Sequence, residues 1–209
     1  MVIVHHLNNS RSQRILWLLE EMGTPYEVKR YERDRATMQA PAELRAVHSL
    51  GKSPVIDDNG LVVAESGAIV EYLADTYGHG QMTPPPGTAA ALRSNYWVHY
   101  AEGSAMTPLL LKLYLNRIGD AAGAMLSRVQ AQLTAMLAYV EGELGADPFL
   151  VGDTLTIADI QMSFPLEFAA VRGDLDATYP GLVAYLARLH ARPAYQRALG
   201  RGGPYELLR

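Results

Sequence analysis

Lys52-Ser53-Pro54-Val55-Ile56-Asp57-Asp58-Asn59-Gly60-Leu61-Val62-Val63-Ala64-Glu65-Ser66 organises the first half of this 209-residue chain. Pro54-Val55-Ile56 and Leu61-Val62-Val63-Ala64 are β-prone runs flanking Asp57-Asp58-Asn59-Gly60, and an Asn-Gly pair between such runs predicts a tight hairpin. Ser66 then offers an N-cap to a helix whose apolar positions Ile69, Val70, Leu73 and Tyr77 share one face, with Gly78 closing it. Upstream, Val2-Ile3-Val4 reads as a short strand, and Ile15, Leu18, Leu19 and Met22 keep helical spacing between Ser12 and Gly23. Tyr26–Tyr31 alternates apolar and polar residues as a second strand, which a right-handed crossover makes a parallel neighbour of the first. Residues 41–47 form a short helix candidate with proline at its start.

The resulting order, βαβ-α-ββα, is a thioredoxin-like layout over residues 1–77. Residues 78–87 hold Gly78, Gly80, Pro84-Pro85-Pro86 and Gly87 without apolar periodicity and read as a linker. Beyond it, residues 88–118, 121–144, 156–171 and 182–199 are helical stretches, the last broken at Pro193, so 88–209 is expected to be an all-α domain. The expected fold class is α/β plus all-α.

Hydrophobic residues make up 49% and charged residues 19%, enough apolar content for packed cores. A net charge of −4 with scattered basic residues gives no footprint for a nucleic-acid backbone. No apolar run approaches the roughly 20 residues of a membrane span, and residues 1–10 lack the pattern of a signal peptide, so a cytoplasmic location is expected. Zero cysteine excludes a disulfide framework, a protein thiolate nucleophile and cysteine-ligated zinc. His99 and Glu102 have the i, i+3 spacing of a ligand pair, but no third ligand follows at matching spacing, so no metal site is expected.

Three segments carry chemistry and together read as a site for an anionic thiol peptide. In Ser10-Arg11-Ser12-Gln13-Arg14, Ser10 precedes helix one, where free amides and the helix dipole favour an anion. A hydroxyl donating to sulfur favours the thiolate, and a shift of about two units turns a thiol of pKa about 8.5 from roughly 3% to mostly ionised at pH 7. The plainer reading is that Ser10 or Ser12 caps the helix. A cis Ser53-Pro54 bond would turn the Ser53 backbone outward to pair with a peptide, whereas a trans bond would make it an ordinary strand entry. Glu65-Ser66 sets a carboxylate beside a hydroxyl and free helix amides, able to hold an amino-acid zwitterion or simply to cap. Lys52 can pair with a carboxylate or remain solvated.

These segments, their order and the helical second half resemble the cytosolic glutathione S-transferases over essentially the whole chain. The resemblance to serine-type, bacterial-like members implies Ser10, four residues before Arg14, as the catalytic hydroxyl. It further implies glutathione held by Lys52, Ser53, a cis Pro54, Glu65 and Ser66, with Asn9, Arg11 and Ser12 as auxiliaries and Asn8 or Asn9 as alternative donors to sulfur. Gly152-Asp153-Thr154-Leu155-Thr156-Ile157-Ala158-Asp159 is similar to the family's buried capping segment. Here Thr156 and Asp159 would form a capping box, with Leu155 and Ile160 as a hydrophobic staple.

The implied activity is a cytoplasmic, detoxifying transferase, working as a homodimer, with glutathione as cosubstrate, no permanently bound cofactor and a small apolar electrophile. The absence of cysteine speaks against the branches that reduce or dehalogenate through a catalytic cysteine. Glutathione-dependent peroxide or disulfide reduction at the same site is the alternative chemistry, and a non-catalytic binding module the alternative of another kind. For the electrophile pocket, Trp97, Tyr100, Ser104 and Thr107 fall near one face of the long helix after the linker, with Pro108 bending it. Trp97, Tyr100 and Ser104 are the candidates, against the reading of this stripe as core. Glu102 would face a partner subunit's site or solvent, and the tail Gly202-Gly203-Pro204-Tyr205 would move freely or cover the pocket.

Overall fold

A computed structural model describes residues 1–34 and 36–208. Positions 35 and 209, inside the two expected domains, lie outside the described residues. The first half contains β1 (Val2–Leu7), α1 (Ser12–Met22), β2 (Tyr26–Tyr31), α2 (Leu44–Val47), β3 (Val55–Asp58), β4 (Leu61–Ala64) and α3 (Ser66–Tyr77). The sheet order is β2-β1-β3-β4, with β1 parallel to β2 and antiparallel to β3, the mixed sheet of a thioredoxin-like domain.

β1 runs three residues past the apolar Val2-Ile3-Val4, because its histidines are buried and hydrogen-bonded rather than solvated. His5 Nδ1 lies 2.9 Å from Tyr31 Oη and His6 Nδ1 2.8 Å from Ser12 Oγ. Burial pushes the His6 imidazole down to about 4, so it is neutral at physiological pH and sits in the sheet without a charge. The hairpin is tighter than the sequence reading. Asp57 and Asp58 belong to β3, and Asp58 pairs with Leu61 across the two-residue turn Asn59-Gly60, whose φ angles of 52° and 93° suit a type I′ turn. Asp58 is buried among donors, accepting from Tyr72 Oη at 2.8 Å and Tyr77 Oη at 2.5 Å. At α3 the residue in the N-cap position is Glu65, with φ 70° and ψ 118°, and Ser66 is the first helical residue.

The second half is helical: α4 (Ala89–Tyr100), a π-helical turn (Ala101–Ala105), α5 (Met106–Ile118), α6 (Gly123–Leu144), α7 (Ile157–Val171), α8 (Pro180–His190) and α9 (Pro193–Gly202). Pro108 gives the long helix a π turn rather than a simple bend. Its ring would clash with the Ser104 carbonyl and it has no N–H to give, so the preceding backbone widens, and Thr107 Oγ1 binds the Gly103 carbonyl at 3.0 Å. α7 is buried on nearly every face and runs through the main core, packed against α1, α3 and α4. Its N-terminus has the capping box read from Thr156 and Asp159, and Asp159 is 0% exposed.

α7 also contains Pro165. A proline at this position cannot donate to the carbonyl four residues earlier, which is that of Gln161. Arg14 of α1 supplies the missing donor, with Nη1 2.5 Å from the Gln161 carbonyl. A hydrogen bond missing from a helix in one half of the chain is thus replaced by a side chain from the other, and that contact leads into the site.

Candidate active site

Ser10 lies between the end of β1 and the start of α1 and is 4% exposed. Its hydroxyl donates to the Leu7 carbonyl at 2.8 Å, lies 2.8 Å from Ser12 Oγ and accepts from the Ser12 amide at 3.2 Å. It therefore touches the first turn of α1, while Arg11 occupies the N-cap position and makes no side-chain cap. The Ser53-Pro54 bond is cis. Ser53 Oγ donates to the His5 carbonyl at 2.8 Å and accepts from the Leu7 amide at 3.3 Å, so Ser10 and Ser53 grip opposite sides of Leu7. Lys52 beside them is exposed.

Ser66 is buried and accepts from Arg14 Nη2 at 2.6 Å and from Gln161 Nε2 at 3.2 Å. Glu65 is exposed on a backbone conformation that L-residues rarely adopt, an outlier of the kind that clusters at ligand clamps. Ser10 and Ser53 thus meet through Leu7, while Ser66 at the head of α3 is held by Arg14 and Gln161. The Arg14 side chain that holds Ser66 is itself buried, and from the sequence Arg14 served only as a spacing marker.

Glu102 corrects its expected position. From the π turn it reaches into its own chain's first half, accepting from Arg11 Nε at 2.8 and 2.9 Å and from Arg14 Nη2. Burial pushes the Glu102 carboxyl up, but the Arg14 and Arg11 guanidiniums outweigh it and hold the group below its ordinary value. Arg11 also lies over the Phe164 ring, 5.1 Å from its centroid. Ser12, fully buried, bridges Ser10 to His6.

Of the alternative donors to sulfur, Asn9 gives its amide to Glu206, while Asn8 is held through its side-chain oxygen. Asn8 Oδ1 accepts from the Arg33 amide at 3.1 Å. Asn9, at φ 52°, accepts from the Glu206 amide at 2.8 Å and donates to Glu206 Oε2 at 3.2 Å. The tail is tied down on this loop, and Tyr205 Oη reaches the buried Glu167 at 2.5 Å.

Of the electrophile-pocket candidates, Trp97 is 0% exposed and packs edge-on against Tyr96 and Tyr100 and tilted against Tyr139, so it builds core rather than an open wall. Tyr100 is half-buried, and burial pushes its hydroxyl up to about 12, leaving it a protonated donor at neutral pH. Ser104 is exposed on the π turn. Gln161 and Glu167 were not singled out as site residues from sequence. Only Gln161 had a local signal, its place four residues before a helical proline.

Comparison with known proteins matches both halves of the chain to one family. Residues 1–75 match the glutathione S-transferase N-terminal domain and residues 122–188 the glutathione S-transferase C-terminal domain. Glutathione S-transferase 3 of Schizosaccharomyces pombe is 32% identical, over 93% of this chain and 85% of that protein. A solved glutathione S-transferase from Actinobacillus pleuropneumoniae superposes with a TM-score of 0.91 at 37% identity, covering 100% of this chain and 96% of that one. A glutathione transferase family member from Pseudomonas fluorescens, solved with two glutathione bound, gives a TM-score of 0.79 at 25% identity over 95% of this chain and 92% of its own. With both domains matched and similarity running nearly end to end, the chain belongs to the glutathione S-transferase family.

Proposed function

We propose that the protein conjugates glutathione to small hydrophobic electrophiles, with the Ser10 hydroxyl stabilising the glutathione thiolate. The observation that carries this reading is the setting of Ser10 at the head of α1. Its present partners, Leu7 at the end of β1 and Ser12 at the start of α1, flank the same short loop, so the hydroxyl can turn to an incoming sulfur without unfolding anything. The α1 amides and the nearby Arg11 and Arg14 add positive potential there. Ser53, beside the cis Pro54, is suited to pair through its backbone with the cysteinyl part of glutathione. Glu65 and Ser66 suit the γ-glutamyl zwitterion, and Lys52 a carboxylate. Tyr100 and Ser104 are proposed to face the electrophile. The working unit is proposed as a cytoplasmic homodimer of chains divided at 1–77, 78–87 and 88–209.

The chemistry asked of the protein is modest. The thiolate attacks the electrophilic carbon and the leaving group departs, so nucleophile activation and positioning supply the rate. The test is the thiolate absorbance of bound glutathione against pH, in the parent and in Ser10→Ala. The expected result is a thiol titrating well below its free value in the parent and raised by about one unit or more in the variant, with binding retained. A bound thiol with an unshifted pKa would end the transferase reading. A shift that survives in Ser10→Ala would move the role to Asn8, Asn9 or Ser12. Comparing turnover of an aryl halide with that of an organic hydroperoxide separates conjugation from reduction.

A further inference from the structure

We propose that Gln161, on the helical half of the chain, is a positioning residue for ligand recognition: it makes Ser66 a hydroxyl that can only donate, aimed at a carboxylate of the ligand. The inference rests on the glutathione reading, the carboxylate being that of the γ-glutamyl end.

The argument is one of hydrogen-bond capacity. A serine hydroxyl has one proton and two acceptor lone pairs. Ser66 Oγ spends both lone pairs inside the protein, on Arg14 Nη2 at 2.6 Å and Gln161 Nε2 at 3.2 Å. With the Gln161 amide in this orientation, its nitrogen toward Ser66, neither partner takes its proton. That proton is left for an acceptor arriving at the first turn of the twelve-residue α3, where the free amides and dipole favour an anion. With Gln161 absent, one lone pair reopens and the hydroxyl gains freedom to rotate away.

Stability does not account for this glutamine. Gln161 is 0% exposed, and its Oε1 is buried with no hydrogen-bond partner. An unpartnered buried carbonyl is costly, and an apolar side chain of similar length would pack there without that penalty. The backbone of Gln161 is itself held for the task. Pro165 removes its helical donor, and the same Arg14 that grips Ser66 fills the carbonyl at 2.5 Å. One guanidinium therefore fixes the hydroxyl and the main chain of the residue that orients it, coupling the helical half to recognition in the first.

The test compares two ligands in the full-length protein: glutathione and the analogue 4-aminobutyryl-cysteinyl-glycine, which lacks the γ-glutamyl α-carboxylate. Gln161→Met preserves length and volume, and Gln161→Leu serves as a second variant. We expect glutathione affinity to fall about tenfold in either variant, the scale of one charge-assisted hydrogen bond. Affinity for the analogue stays within about twofold and the melting temperature holds or rises, since an unpartnered carbonyl is gone. Steady-state KM for glutathione rises with kcat unchanged. Ser66→Ala weakens glutathione binding in the parent and adds little in Gln161→Met.

Equal weakening of both ligands would make the role merely structural and overturn the inference. So would unchanged glutathione affinity in a folded variant while the parent binds glutathione. A parent that binds neither ligand fails the glutathione reading itself and takes this inference with it.

Discussion

Replacing Asp159 with alanine tests how much of the fold hangs on one buried carboxylate. Asp159 Oδ1 accepts from the Leu150 amide at 2.9 Å and Tyr185 Oη at 2.7 Å, while Oδ2 accepts from the Thr156 amide at 2.8 Å and Thr156 Oγ1 at 3.3 Å. Burial pushes the carboxyl up, against these four hydrogen bonds, which favour its charged form. Alanine would leave two main-chain amides, the Thr156 hydroxyl and the hydroxyl of a fully buried tyrosine without this acceptor. Each orphaned donor costs about 1–3 kcal/mol, so with partial relaxation the loss is roughly 3–5 kcal/mol. That is larger than a surface N-cap, worth about 1 kcal/mol, because the same carboxylate joins α7, α8 and the segment at Leu150. At about 2–4 °C per kcal/mol for a chain of this size, melting should fall by roughly 10 °C. Asp159→Asn should lose about half as much, since its amide oxygen can still accept from Leu150 and Tyr185 while its NH₂ meets the Thr156 N–H. The assay is thermal unfolding of the three proteins followed by circular dichroism. Asp159→Ala melting within about 2 °C of the parent would refute the reasoning, because four buried donors cannot lose their acceptor so cheaply.

Glu102→Gln removes the carboxylate facing the buried Arg14, and urea unfolding at pH 7 should show a loss of about 2–4 kcal/mol from the uncompensated guanidinium. The folded Glu102 pKa lies below its ordinary 4.5, so its contribution is present above that value and disappears as pH falls through the folded pKa. The parent's stability should therefore decline across that acid window and the variant's decline less; parallel acid limbs would contradict the pairing. Gly202→Ala would place a methyl 2.4 Å from Gln13 Oε1, 3.1 Å from Leu16 Cδ1 and 3.3 Å from His6 Nε2, and should cost about 1–3 kcal/mol by denaturant unfolding. Gly60→Ala meets no atom within 4 Å, so any loss, about 1–2 kcal/mol by the same measurement, reports the positive φ of the hairpin alone.

Where an element is encoded by neighbours in the chain, it was legible in advance. Asn59-Gly60 announces its turn because few other residue pairs accept two positive φ angles, and α1 and α3 carry their 3.6-residue apolar stripes in plain view. The Thr156 and Asp159 box spans three residues and follows from spacing alone. Boundaries were less exact where side-chain burial overrides residue character. His5 and His6 read as a strand end, and Asp57 and Asp58 as a loop, until tyrosine and serine partners from other elements are in place.

The candidate site divides the same way. Ser10, Ser53, Glu65 and Ser66 could be picked out because each stands at a helix or strand terminus whose chemistry is local. The partners of Arg14, Glu102 and Gln161 could not. Their roles come from pairings 88, 147 and 95 residues apart in the chain, through Arg14–Glu102, Arg14–Gln161 and Ser66–Gln161. Trp97 shows the converse: its stripe at helical spacing fits pocket or core equally, and only the packing of Tyr96, Tyr100 and Tyr139 around it decides for core. By itself the sequence determined the element order, the turn chemistry and the residue types at the head of each helix, because these depend on backbone propensity and short-range hydrogen bonding. Tertiary structure decided which buried charge meets which partner, since the cost of burying a guanidinium is met only by acceptors that folding brings from distant segments.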